Sequence, residues 1–189
     1  MRAIHALAGL GLAALAALSV VACESPIQDD LIDSLGEENP NIPQGEYHRY
    51  GQPCLACHGG YGEGPEWAVA GTIFATPSDD ITTSAVITIT DATGEQKLAP
   101  ANCAGNFYIK EETWQPVFPL HVEIECTLPD GTKKRAVMGT RINRDGSCAS
   151  CHEKGPATST SPGQVYCVPD QPDPPFEVDP SCPGGPGAG

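Results

Sequence analysis

Short alternations of apolar and polar positions fill the middle of this chain. Val69, Gly71, Ile73 and Ala75 alternate with Ala68, Ala70, Thr72 and Phe74, the period of two that marks a half-buried strand. Ala85 to Asp91 is β-branched and ends in the turn Asp91-Ala92-Thr93-Gly94. Further on, Cys103, Phe107 and Ile109 share one parity. Leu120, Val122, Ile124 and Cys126 share another, with His121, Glu123 and Glu125 opposite them. Pro129-Asp130-Gly131-Thr132 is a hairpin signal, and the chain returns from Lys133 to Thr140. Strands at this spacing with no helices between them predict a mainly β domain over residues 67–141, a small antiparallel β-sandwich.

The flanks read differently. Met1-Arg2 followed by the apolar run Ala6 to Ala22 is the charged and apolar pair of regions of an export signal. The run is short for a membrane span. It ends in Val20-Val21-Ala22-Cys23, which resembles a bacterial lipobox, where the leader (1–22) is removed and Cys23 is lipidated. That resemblance implies an exported outer-membrane lipoprotein on the periplasmic or cell-surface side, held to the lipid membrane through Cys23. An ordinary signal peptide and a retained anchor are the alternatives, and all three put the rest outside the cytoplasm. Residues 23–46 read as an acidic tether. From Glu24 to Glu46 inclusive there are seven acidic residues and no Lys or Arg. Ser25-Pro26-Ile27-Gln28 opens a short helix there, and Gly36 closes it. Residues 156–189 read as a Pro/Gly-rich tail that cannot build a core.

The succession VAGTIF (69–74), AVITITDATGE (85–95) and ANCAGNFYI (101–109) resembles the carboxypeptidase-regulatory-like, prealbumin-type (Ig/prealbumin-like) β-sandwich repeats of secreted bacterial proteins. The likeness covers about 60 residues and implies a fold more than an activity.

Composition bounds the partners. Twenty-four Asp and Glu face ten Lys and Arg, for a formal charge of −14, more negative still without Arg2. This sign excludes a nucleic-acid partner. Nine cysteines belong in an oxidising compartment. Cys103 and Cys126 both fall on inward parities, which points to a Cys103–Cys126 core disulfide, and Cys167 with Cys182 would close a loop in the tail. With four such cysteines three connectivities remain open.

The chemistry lies in Cys54-Leu55-Ala56-Cys57-His58 and Cys148-Ala149-Ser150-Cys151-His152, two copies of the c-type haem attachment signature. On a helical turn, positions i, i+3 and i+4 share a face. Two sulfurs can then bond the porphyrin edge while the adjacent imidazole reaches the iron. The expected cofactors are two covalently bound haem c, held by Cys54, Cys57, Cys148 and Cys151, with His58 and His152 as proximal iron ligands. A sandwich binding module whose Cys-x-x-Cys pairs hold one all-thiolate zinc is a weaker reading, because 90 residues separate Cys57 from Cys148 and no aromatic platform or charged cluster marks the strand block. Local disulfides or exported redox thiols lack the thioredoxin-like alternation of strands and helices.

With His5 gone with the leader, His48 and His121 are the spare imidazoles, one for each of two bis-His irons. His48, six residues before Cys54, can fold over the first haem or serve the second. A two-residue turn at Asp130-Gly131 would pair Ile124 with Val137, Glu123 with Met138 and His121 with Thr140. His121 and Met138 would then be diagonal neighbours on the outer face. His121 is accordingly the expected distal ligand of the second haem, with Met138 as packing or rival ligand. Tyr47, Tyr50, Tyr61 and Trp67 read as pocket walls. The segments 47–66 and 142–155 would set one haem at each edge of the sandwich. The resulting expectation is a dihaem c-type cytochrome, a multihaem-type electron carrier rather than an enzyme. Its redox partner would be a basic protein or another cytochrome. A haem enzyme such as a dihaem peroxidase would need an open sixth position.

Overall fold

The structure is a computed structural model. It describes residues 25–38, 40, 45, 47–60, 62, 64–77, 85–153 and 155–168. The leader, Cys23, Tyr61 and Cys182 lie outside these residues. The chain divides into two units, 1–34 and 35–189. In the first, helix α1 (Pro26–Ser34) buries none of its residues, and Ile27 and Leu31 are exposed. Its first turn closes on the Ser25 carbonyl, and Gly36, at φ +72°, stands just past its end, the left-handed position where helices stop. Among the described residues no helix is long and apolar enough to cross a membrane.

The second unit carries the sandwich. Strands β1 (Trp67–Thr72) and β4 (Asn106–Lys110) form one antiparallel pair. Strands β2 (Ala85–Thr90), β3 (Gln96–Pro100), β5 (His121–Thr127) and β6 (Lys133–Val137) form a second antiparallel sheet in the order β3-β2-β5-β6. Val69, Phe107 and Ile109 meet Ile87, Ile89, Leu120 and Val122 in one buried cluster. The alternation read from the sequence for residues 68–75 is not the burial pattern of β1, which buries both parities from Val69 to Thr72, whereas β2, read only as a β-branched run, buries alternate residues. Removal of these branched side chains from water is the main force joining the sheets. Buried Asp91 closes the turn after β2. Its Oδ1 accepts from the Thr93 hydroxyl and from the amides of Thr93 and Glu95, and its Oδ2 from the amide of Val117. These bonds, led by the Thr93 hydroxyl, hold its carboxyl below the usual range.

Three expectations are corrected. First, the β5–β6 hairpin has a three-residue loop. Leu128 and Thr132 close it, with Gly131 at φ +82°, as in a type I turn followed by a left-handed residue. The extra residue slips the register by one, so that Glu123 faces Val137 and Ile124 faces Ala136. A slip of one residue reverses every side chain. Met138, whose amide bonds the Val122 carbonyl, packs against the core, on the face opposite His121.

Second, the core disulfide joins Cys126 to Cys167, with Cα atoms 5.8 Å apart, and neither Cys103–Cys126 nor Cys167–Cys182 forms. Parity does not carry Cys103 into the core because the chain turns at Gly105, at φ +72°. Cys103 instead packs beside Tyr47, Phe74 and Ala104, and it is disulfide-bonded to a partner outside the described residues.

Third, the tail begins as ordered structure. Phe74 donates to the Val165 carbonyl, and Cys167 and Val168 donate to the carbonyls of Phe74 and Ala75. This returning segment is what delivers Cys167 to Cys126. The bridge constrains a separation of 41 residues. The Cys126→Ala, Cys167→Ala variant is therefore expected to lose about 2–5 kcal/mol of unfolding free energy. Denaturant unfolding checks this, and an unchanged midpoint would contradict it.

Candidate functional site

Both Cys-x-x-Cys-His motifs fold into the same tight turn. In the first, helix α2 (Leu55–His58) follows Cys54, and the amides of Cys57 and His58 donate to the Cys54 carbonyl at 3.2 and 3.0 Å. In the second, a 3₁₀ turn spans Cys148–Ser150. There the amides of Cys151 and His152 donate to the Cys148 carbonyl at 3.2 and 2.9 Å. Each motif thus gathers two sulfurs and an imidazole on one turn, as the spacing predicts. All four cysteines are free thiols.

The two imidazoles are held alike. His58 Nδ1 lies 2.9 Å from the Pro65 carbonyl, and His152 Nδ1 lies 2.9 Å from the Gly163 carbonyl. A carbonyl can only accept, so Nδ1 carries the proton and Nε2 keeps its lone pair. His58 Nε2 is buried with no hydrogen-bond partner among the described residues. Burial holds the His58 imidazole below its ordinary pKa, the Pro65 carbonyl opposing and nearby His48 adding to the shift. The segment after the first motif builds this cradle. A Cβ at Gly64 would overlap Nδ1 and Cε1 of His58, so only glycine lets the chain pass. Trp67 lies flat on the imidazole, with ring centres 3.7 Å apart and planes 11° apart. The Gly64-Pro65 pair was the available sequence signal for this cradle, and the sequence reading passed over it.

The motifs are not at opposite edges of the sandwich. Helix α2 and the 3₁₀ turn both pack against β1. The Gly51 amide donates to Thr72 Oγ1 at 2.8 Å, and Ala70 bridges Ser147 in parallel. At Gly71 a Cβ would stand 2.8 Å from the Cys148 Cβ, so the second motif rests on bare backbone. The convergence brings Cys54 and Cys148 within electrostatic reach. Burial pushes the Cys54 thiol up to about 11. Burial, aided by Cys54, Asp145 and Cys151, pushes Cys148 up to about 12. Nucleophilic thiols are shifted the opposite way.

Each motif opens on its own cavity. The first, of about 670 Å³, is lined by His48, Cys54, Cys57, His58, Trp67 and Tyr108. His48 does fold over the first motif, with its ring centre 6.1 Å from that of His58 and the planes 23° apart. His48 Nδ1 is also buried without a partner among the described residues. The second cavity, of about 240 Å³, has apolar walls and includes Met138, Cys148, Cys151 and His152.

His121 lines neither cavity. It lies 3.5 Å from Glu123 on the outer face, where Arg135 binds the same carboxylate and holds it below the usual range. The expected juxtaposition of His121 with Met138 therefore fails. Tyr47 and Tyr50 pack with Phe74 and do not line the cavity at the first motif; Trp67 does line it.

No family model, curated protein or solved structure matches this chain. The assignment of its chemistry therefore rests on the two motifs and their surroundings.

Proposed function

We propose that this protein is an exported, membrane-anchored dihaem c-type cytochrome that carries electrons. The observation that supports this best is the matched setting of His58 and His152. Each commits Nδ1 to a backbone carbonyl at 2.9 Å, which fixes the tautomer and leaves the Nε2 lone pair available to a metal. The orphaned His58 Nε2 and the free thiols beside each imidazole fit covalently held haem. A bare zinc ion fits less well, since the two cysteines and one histidine on each turn do not converge on a common point as ligands of one ion would.

In this reading Cys54 and Cys57 hold one haem, and Cys148 and Cys151 the other. His58 and His152 are the proximal ligands. When bound, haem supplies reversible one-electron chemistry at its iron. The chain provides anchoring, ligand choice and exclusion of water. His48 would supply the second ligand of the first site. Its ring lies over the same motif, 6.1 Å from that of His58 between ring centres, and its Nδ1 is buried without a partner among the described residues. At the second site Met138, rather than His121, would supply the second ligand, because it shares the cavity with His152. A thioether in place of an imidazole raises the reduction potential, so the two sites differ. With a second ligand at hand for each iron, neither site offers the open position that a peroxidase needs.

The prealbumin-type sandwich serves as the scaffold. Lipidated Cys23 is the anchor in the outer membrane, and the negative surface steers a basic protein or another cytochrome toward the protein. The test is a denatured mass and a visible spectrum of protein matured in a cytochrome-assembling host. Two haem additions with low-spin bands are expected; a colourless protein of unmodified mass overturns the proposal.

A further inference from the structure

Trp67 opens β1, and Tyr108 stands on the neighbouring strand β4. Trp67 stacks on His58 at 3.7 Å and 11°, and Tyr108 stacks on Trp67 at 4.4 Å and 10°. Three near-parallel rings thus run from an imidazole inside the first site to a side chain that is 44% exposed. Packing alone accounts poorly for this arrangement. The main cluster is complete without Trp67 and Tyr108. Trp67 Nε1 is buried with no partner among the described residues, a placement that costs free energy. The rings nonetheless leave no gap filled by saturated carbon between His58 and the surface.

The geometry points to the His58–Trp67–Tyr108 stack as the port through which the first site exchanges electrons with its surroundings. This inference rests on the haem reading above. In reduction, an external donor meets Tyr108 and is oxidised by one electron, and the ferric iron ligated by His58 is reduced by one. No bond forms or breaks, and no proton moves. Trp67 is also a positioning residue, because its face fixes the plane of the imidazole.

The experiment uses the full chain bearing Cys148→Ala and Cys151→Ala, which isolates the first site, with a ruthenium polypyridyl photoreductant in solution. Tyr108→Leu is expected to slow reduction about tenfold, equivalent to about 1.4 kcal/mol of barrier. Because Tyr108 also lines the cavity at the first motif, the rates are compared at equal driving force, with the potential of each variant read by redox titration. Trp67→Leu should slow reduction to a similar extent, and Trp67→Phe should restore most of the rate. The double variant should be no slower than the slower single one, as for elements in series. Reduction of the haem-loaded Tyr108→Leu protein at the parent rate overturns the port, even if Trp67→Leu fails to fold.

A second readout needs no haem. In protein made without haem attachment, the coupled aromatic band in near-ultraviolet circular dichroism should vanish in both Trp67→Phe and Tyr108→Leu. Its persistence in both overturns the stack itself. Absence of haem from the parent chain would instead overturn the proposed function, and mass spectrometry tells these failures apart.

Discussion

The Cys54→Ala, Cys57→Ala variant is expected to mature with one haem addition instead of two, as is Cys148→Ala, Cys151→Ala, while the fourfold variant stays colourless. The sites should load independently because each motif has its own carbonyl-held imidazole, at Pro65 and Gly163. The sandwich should survive either loss. Its core is built from β1, β2, β4 and β5 residues such as Val69, Ile87, Phe107 and Val122, and the Cys126–Cys167 bridge is untouched. Denatured mass counts the additions, and the α-band absorbance confirms the count. Two additions in either double variant would refute the assignment of those thiols. Loss of both additions from one double variant would refute the independence of the sites.

The second large effect concerns Met138. Met138→His should lower the reduction potential of the second site by on the order of 0.1 V, within the roughly 0.8 V range set by axial ligands. Met138→Leu should open the sixth position, so that the site turns high-spin and binds cyanide or carbon monoxide. His121→Ala should do neither, because His121 lies against Glu123 on the opposite face. Redox titration followed by visible spectroscopy separates the three variants. A second site that stays low-spin in Met138→Leu but loses that state in His121→Ala would restore the ligand expected from the sequence.

The register of one hairpin decides between these two residues. The sequence offered Asp130-Gly131 as a two-residue turn, which puts Met138 outside with His121. The chain instead uses three loop residues, with the Thr132 amide bonded to Asp130 Oδ1, and the strand after the loop is reversed face for face. A loop one residue longer costs little locally. The choice is made by burial of Met138 against the core, a term that no window of sequence contains. The same holds for the disulfides. Cys126 was legible as an inward residue, but its partner depended on where residues 164–168 return along Phe74 and Ala75. Composition gave that segment no structure, because backbone bonding to a distant strand leaves no apolar period.

The chain's own order of residues determined the mainly β character of the middle of the chain, the negative charge, and the two turns that each carry a pair of cysteines and a histidine. These are matters of spacing over five to ten residues, where local geometry is fixed by the backbone. Only the tertiary structure decided that both motifs lean on β1, that His48 reaches the first imidazole, that Met138 and not His121 lines the second cavity, and that Trp67 and Tyr108 continue the ring of His58 to the surface. The physical reason is that these juxtapositions are set by burial and by hydrogen bonds between segments tens of residues apart. Such terms come into play only once the sheets have packed.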